Sequence, residues 1–293
     1  FGRLRDVVVP AMLRSRPNTQ PRIVFWCGRS VEPWYPGSIQ ATGIGGSETA
    51  VIEVAKRFQR DGWRVDVYNE PERWEGEHDG VGYWGLGRLG QGEAADCLVS
   101  WRDPGASGLP IDRKMSLLWC HDLNRGPGGN EVFARWDRVL GASAWHGRYL
   151  SQVYGLANTG FVPNGIDLGR FSGPIKKIPG RCVYASSPDR GLEKLLKMWP
   201  VLHQADPGRE LHIAYGWETF DKYISMGRQD LTQQKERILK QLEQPGVVWR
   251  GRLNQTDLAE LYQQAYCWLY PTSFTEVSCI SAMEAMAGGC VPV

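Results

Sequence analysis

Three consecutive stretches decide the fold: RIVFWCG (22–28), SETAVIEVAKRFQRDG (47–62) and WRVDVYN (63–69). The first and third are short and rich in Val, Ile and aromatic residues, the composition of buried strands. The middle stretch puts Val51, Val54, Ala55 and Phe58 at i, i+3, i+4 and i+7, one apolar stripe of a helix. Ser47 is expected to cap that helix and Gly62 to end it. Strand, helix and strand in this order make a crossover unit whose two strands run parallel.

Working outward, DCLVSW (96–101), KMSLLWC (114–120), RVLGAS (138–143) and TGFVPNG (159–165) read as further strands, with a helix near 145–154. Residues 70–93 are polar and Gly-rich and are expected to be loop. SGPIKKIPG (172–180) has Pro and Gly punctuation and no periodicity, as a linker does. Beyond it the theme repeats. RCVYAS (181–186), ELHIAYG (210–216), GVVWRG (246–251) and CWLYPT (267–272) read as strands, and 191–204, 231–244, 256–265 and 278–289 as helices. The expected architecture is α/β, with two Rossmann-like, doubly wound domains. Residues 1–20 form an N-terminal extension, 21–171 the first domain, 172–180 the linker and 181–293 the second domain. The ending GGCVPV reads as a strand beginning, so the C-terminal domain is expected to be truncated.

Composition narrows the function classes. The 293 residues carry 34 Lys+Arg against 32 Asp+Glu, a net charge of +2, and 42% are hydrophobic. That balance excludes a disordered or collagenous chain and gives no basic face for nucleic acid. No run reaches the roughly 18 apolar residues of a membrane span. Seven cysteines (27, 97, 120, 182, 267, 279 and 290) are odd in number and include no CxxC. They read as buried reduced thiols in a cytoplasmic protein, with peripheral membrane contact permitted but not required.

Four stretches carry candidate chemistry. GIGGSE (43–48) leads into a helix whose free N–H groups favour an anion. It departs from the dinucleotide fingerprint because Glu48 stands at the third glycine and Gly28 is 15 residues upstream of Gly43, which disfavours a nicotinamide or flavin cofactor. It is an anion- or substrate-facing loop or a plain connection. In PTSFTEVSCISAMEAMAGG (271–289), Glu276 follows a strand at the edge where ligands of open α/β sheets bind. Glu284 lies among Ile280, Met283 and Met286, where a carboxylate needs a partner: sugar hydroxyls, or a salt bridge. The N–H groups around Ser278, Cys279 and Ile280 form a second anion site. In SSPDRGLEK (186–194), Arg190 is placed to fork onto a phosphate, or is a surface arginine. In LLWCHDL (117–123), His121 ends a buried strand, where it is structural or functional. No His, Cys, Asp and Glu spacing marks a metal site, and no nucleophile motif is present.

Taken together these residues resemble the retaining nucleotide-sugar glycosyltransferases of the GT-B fold, family four (glycosyl transferases group 1), over roughly 21–293. The strongest part is the E-x7-E pattern from Glu276 to Glu284. GGSE, PNGID (163–167), SPDRGL and WRGRLNQTDLAELYQQA (249–265) support it. The resemblance implies an acceptor-side first domain and a donor-binding second domain. Glu284 would hold the ribose hydroxyls and Glu276 the donor sugar. The backbone at Ser278, Cys279 and Ile280 would hold the distal phosphate. Arg190 would neutralise the leaving diphosphate in place of a metal. Ser186 or Ser187 stands where the family has its first cation, with Lys194 as helper. Gly45 and Gly46 would approach donor phosphate and sugar, His121 would sit near the reacting sugar, and Arg252 and Leu253 would flank the base. Catalytic roles thus fall to His121, Glu276 and Arg190.

The implied reaction moves a sugar from a nucleoside-diphosphate sugar, UDP- or GDP-linked, to an acceptor with retention and without metal. The donor is a co-substrate, so no cofactor is expected. The acceptor is a saccharide, a lipid-linked glycan or a protein glycan, met by the loops 29–44, 70–93 and 102–113. Trp34, Tyr35, Trp74, Tyr83 and Trp84 are the aromatic residues that could stack on a sugar there. The competing readings are a GT-B-like nucleotide-sugar epimerase or phosphorylase, and a non-catalytic nucleotide- or glycan-binding module.

Overall fold

The computed structural model describes residues 20–123 and 129–293, so the expected extension at 1–20 falls almost wholly outside the described residues. The chain divides into two units. The first runs up to Gly37 and resumes at Gly45–Gly165; the second takes Ser38–Ile44 and Ile166–Val293.

The first unit is built on an eight-stranded sheet in the order β3-β4-β2-β1-β5-β6-β7-β8. Its strands are β1 (Arg22–Trp26), β2 (Arg64–Tyr68), β3 (Gly76–His78), β4 (Val81–Trp84), β5 (Glu93–Trp101), β6 (Ile111–Trp119), β7 (Arg138–Gly141) and β8 (Thr159–Phe161). All neighbours pair parallel except β3 with β4. Strands covered on both faces read as continuous apolar runs rather than alternating ones. Ile23, Val24 and Phe25 of β1 and Leu117 and Leu118 of β6 are accordingly fully buried. The short helix α1 (Ser38–Ala41) belongs to the second unit, whereas α2 (Gly46–Arg60) buries the expected stripe of Val51, Val54, Ala55 and Phe58.

Two expectations differ here. Ser47 lies inside α2 rather than capping it; the cap position is Gly45, and the Ser47 hydroxyl bonds the Glu48 carboxylate at 3.1 Å. Residues 70–93 are not all loop, because β3 and β4 form an edge hairpin. Its turn is Asp79-Gly80, both with left-handed φ (54° and 75°), the backbone a two-residue hairpin needs.

The short α3 (Gly129–Phe133) precedes β7, and α4 (Ala144–Tyr154) follows it. The α4 start is capped by Ser143, whose hydroxyl accepts from the His146 N–H at 3.1 Å. At Gly147 an added Cβ would lie 2.6 Å from the Gly160 carbonyl oxygen, so α4 packs this closely on β8 only with glycine there.

The second unit has a five-stranded parallel sheet in the order β11-β10-β9-β12-β13. The strands are β9 (Arg181–Tyr184), β10 (Glu210–Ile213), β11 (Val247–Trp249), β12 (Cys267–Trp268) and β13 (Val291–Pro292). Its helices are α5 (Leu192–Ala205), α6 (Glu218–Ser225), α7 (Gln229–Gln241), α8 (Gln255–Gln264) and α9 (Ile280–Ala287). One core forms from Leu192, Leu195, Leu196 and Trp199 of α5 against Leu211 and Ile213 of β10 and Ile238 of α7. A second gathers Val183, Tyr262, Trp268 and Ala285. Asn254 caps α8, its side-chain oxygen accepting from the N–H groups of Thr256 and Asp257.

The segment read as a linker, 172–180, is fastened to this unit. Lys177 Nζ donates to the carbonyls of Tyr262, Ala265 and Gly288, and the Ile178 N–H donates to Gln264. The unit therefore begins at Ile166, ahead of the expected boundary. All seven cysteines are free thiols, with Cys27, Cys97, Cys120 and Cys290 buried and Cys182, Cys267 and Cys279 half-buried.

Candidate functional site

The second unit gathers its candidates at the carboxyl ends of β9 and β12, which are neighbours in the sheet. After β9 the chain turns through Ser187 and the short helical turn Pro188–Arg190; the Tyr184 hydroxyl donates to the Ser187 carbonyl at 2.8 Å and fixes the turn. After β12 comes the loop that carries Glu276. Arg190 Nη1 donates to Glu276 Oε1 at 3.1 Å, and the Tyr270 hydroxyl donates to the same oxygen at 2.5 Å. The guanidinium lies 3.6 Å from the centroid of the Phe274 ring. Burial, then the neighbouring Glu276 carboxylate, pushes the Tyr270 phenol up, so it stays a donor.

Gly191 makes this approach possible. Its φ is +109°, and a Cβ would sit 2.7 Å from the Pro271 carbonyl oxygen. Gly191→Ala is expected to cost about 1–3 kcal/mol, through left-handed backbone strain and the clash. A lowered urea midpoint together with loss of the Arg190–Glu276 contact in a crystal structure checks it.

Glu284 on α9 is buried, and its partner is a protein cation. Arg170 Nη1 lies 3.2 Å from Glu284 Oε1, with side-chain exposures of 13% and 6%. Arg170 also bonds Gln255, at the start of α8. Burial raises the Glu284 pKa and Arg170 opposes the rise. Ser278, Cys279 and Ile280 lie at the N-terminus of α9, where the Cys279 side chain makes no capping bond. Burial pushes the Cys279 thiol up to about 11, so it is protonated near neutral pH. Lys194 is exposed on the first turn of α5. Arg252 Nη2 donates to the Gly43 carbonyl at 2.9 Å, and Leu253 packs on the Val183–Trp268 core.

The first unit holds the other candidates. Gly45 and Gly46 form the cap and first residue of α2. His121 follows β6 and is buried beside Trp119, whose ring centroid is 4.6 Å away. Burial, then the Arg102 and His146 charges, hold its pKa well below the ordinary histidine value, so it is neutral. Its Nε2 has no hydrogen-bond partner among the described residues. His121 lines a small recess of about 10 Å³, room for one water, with Arg102, Pro104, Cys120, Asp122, Phe133 and Leu150. Behind it, His146 Nδ1 accepts from the Ala142 N–H at 3.0 Å, so its Nε2–H donates to the Asp122 carbonyl, also at 3.0 Å. Of the aromatic candidates, Trp34 and Tyr83 are buried in the core, whereas Tyr35 and Trp74 stack on each other at 5.0 Å.

Arg170, Gln255, Tyr270, Phe274, Arg102, Asp122 and His146 were not singled out from sequence. The one signal for any of them was the buried carboxylate at 284, which demanded a partner without naming it. Among the described residues no group of three or more His, Cys, Asp or Glu could hold a metal ion, and no helix is long and apolar enough to cross a membrane.

Comparison with solved structures shows a shared two-domain α/β fold. Sucrose-phosphate synthase from Thermosynechococcus elongatus matches with a TM-score of 0.66 at 14% identity, covering 93% of this chain and 80% of that one. The Anabaena HepE protein, solved with UDP and glucose, gives 0.60 at 17% identity over 93% and 80%. The catalytic domain of Arabidopsis thaliana starch synthase IV, bound to ADP and acarbose, gives 0.58 at 10% identity over 94% and 82%. No curated protein sequence matches the chain. Residues 182–293 match the family model described as glycosyl transferases group 1. The chain has the two-domain α/β GT-B fold of these structures, and within its second unit residues 182–293 are similar to the glycosyl transferases group 1 family.

Proposed function

We propose that the protein transfers a sugar from a nucleoside-diphosphate sugar to an acceptor hydroxyl, with retention and without a metal ion. The observation that carries this reading is the meeting of Arg190 and Glu276 at the carboxyl ends of β9 and β12, on the same edge as the side-chain-uncapped start of α9. Glycosyl transfer breaks the bond between the anomeric carbon and the phosphate oxygen. Positive charge develops on the sugar and negative charge on the departing phosphate. Fixed cations and N–H groups aimed at that phosphate lower the barrier, a single such donor contributing about 3 kcal/mol. Arg190 and the backbone N–H groups at Ser278, Cys279 and Ile280 supply those donors, with Ser187 and Lys194 flanking.

Glu276, oriented by Tyr270, accepts from hydroxyls of the donor sugar. Glu284 accepts from the ribose, its charge maintained by Arg170, while Arg252 and Leu253 flank the base. Gly45, Gly46 and the neutral His121 are assigned to the phosphate and sugar of the donor. The acceptor oxygen attacks the anomeric carbon on the face the diphosphate leaves, and its proton passes to the departing phosphate. This route needs no enzyme nucleophile. The UDP and ADP bound to HepE and starch synthase IV support a nucleoside-diphosphate ligand.

A thermal-shift panel of UDP, GDP, ADP and TDP in EDTA tests the donor site. A nucleotide at about 100 times its Kd adds about 2.7 kcal/mol of stability. One nucleotide is expected to raise the melting midpoint of wild type by several degrees and to lose that effect in Glu284→Ala. No shift with any nucleotide on folded protein would refute the donor site.

A further inference from the structure

We infer that Cys182 and Cys267 form a dithiol that hydrogen peroxide closes reversibly to a disulfide, a redox-sensitive clasp between the two strands that lead to Arg190 and Glu276; its coupling to nucleotide rests on the transfer reading above. In the second unit Cys182 of β9 and Cys267 of β12 are register partners across a parallel pair. Such strands lie about 4.8 Å apart, inside the roughly 4.4–6.8 Å that separates the Cα atoms of a disulfide. Ladder bonds on either side fix the pair: the Tyr266 N–H donates to the Arg181 carbonyl and the Leu269 N–H to the Val183 carbonyl, both at 2.9 Å. Among the described residues no other two cysteines are register partners.

The two thiols share one face of the sheet. Val183 and Trp268, the next residues along each strand, both enter the core that holds Tyr262 and Ala285. Side chains alternate along a strand, so Cys182 and Cys267 turn to the opposite face. There Cys182 packs on the core of α5, β10 and α7. Both thiols are half-buried, within reach of a small solute. Cys290 belongs to the other face, where its Sγ donates to the Tyr262 and Ala265 carbonyls at 3.0 and 3.3 Å. The arrangement is therefore a facing pair and not a three-thiol cage. The chemistry open to a facing pair is two-electron oxidation. Burial, then the Cys267 charge, pushes the Cys182 thiol up to about 11, so it rests protonated until an oxidant arrives.

In the step both S–H bonds and the peroxide O–O bond break. One S–S bond forms and two waters leave, so the sulfurs are oxidised and the peroxide reduced. A disulfide holds its Cβ atoms about 3.8 Å apart, closer than the strand spacing. Closure thus draws the amino ends of β9 and β12 together and strains the bond, which keeps it open to thiol reductants. At their carboxyl ends the same strands lead to the Arg190–Glu276 contact, so the closed clasp is expected to disturb it.

Peptide mapping of the intact protein after excess hydrogen peroxide tests this, with remaining thiols blocked by N-ethylmaleimide. The expected product is a Cys182–Cys267 linked peptide, lighter by two hydrogens than its parts, more abundant than any other pairing and lost on adding a phosphine reductant. Cys182→Ser and Cys267→Ser should each abolish it, with near-UV circular dichroism confirming that both are folded. Blocked, singly oxidised or differently paired thiols at these positions would overturn the assignment. Oxidation should also about halve the nucleotide-induced rise in melting midpoint, reversibly, and not in Cys182→Ser. A linked peptide with an unchanged nucleotide shift would overturn the coupling to the site. A linked peptide with no nucleotide shift even in reduced protein would retain the clasp and refute the donor reading.

Discussion

Arg190→Ala is expected to slow cleavage of the donor by about 10²–10³-fold, the loss seen when one fixed donor to a developing anion is removed. The loss should fall mainly on kcat, because charge on the departing phosphate grows toward the transition state. Arg190→Lys should recover only part of the rate, since an ammonium keeps the charge but loses the planar fork and its stacking on Phe274. The pair with Glu276 is partly exposed, at 31% and 25%, so its removal should change stability little. Steady-state release of nucleoside diphosphate, with melting curves for both variants, separates the catalytic effect from a structural one. An unchanged kcat would remove Arg190 from the mechanism.

Arg170→Ala is expected to destabilise the second unit by about 3–5 kcal/mol, because it strands Glu284 as an uncompensated buried carboxylate. Removing both charges, as Arg170→Met with Glu284→Gln, should restore much of that stability. The effect carries a pH signature. Burial raises the Glu284 pKa and Arg170 holds it down. Without Arg170 the folded-state pKa rises further above the unfolded value. A group raised in this way favours the folded state below its unfolded pKa, and that contribution is lost as pH rises through the folded pKa. The gap between wild type and Arg170→Ala should therefore narrow as pH falls from neutrality toward the ordinary carboxylate range. Urea midpoints of the two proteins across that interval measure it.

The crossover units were legible because parallel strands buried on both faces leave continuous apolar runs, as in RIVFW and SLLW, and because α2 keeps a helical stripe. The hairpin at 76–84 was legible in principle from its Asp79-Gly80 turn, but its short strands sit in a polar surround that masks the pattern. The linker misled for a related reason. Pro and Gly at 172–180 signal irregular backbone, and irregular backbone can still be tied down, here by the three carbonyls around Lys177 Nζ.

At the site, the sequence displayed the residues that end strands and start helices: His121, Arg190, Glu276 and the Ser278–Ile280 turn. It did not display their partners. Arg170 is 114 positions from Glu284, and Arg102 is 20 from Asp122, and only the fold brings either pair together. Burial made the need for a cation at Glu284 predictable while leaving its identity open. His146 escaped notice because its bonds to the Ala142 N–H and the Asp122 carbonyl depend on tautomer and geometry rather than on spacing.

The most direct measurement is release of nucleoside diphosphate from UDP-glucose, UDP-N-acetylglucosamine, GDP-mannose and ADP-glucose by the wild-type protein in EDTA, with and without a neutral glycoside. The account predicts that donors of one base are cleaved, that the glycoside accelerates release, that chelation leaves the rate unchanged, and that the product keeps the donor's anomeric configuration by NMR. A folded protein that binds a nucleoside diphosphate yet releases none from any of these donors, with or without acceptor, would contradict it in favour of a binding module.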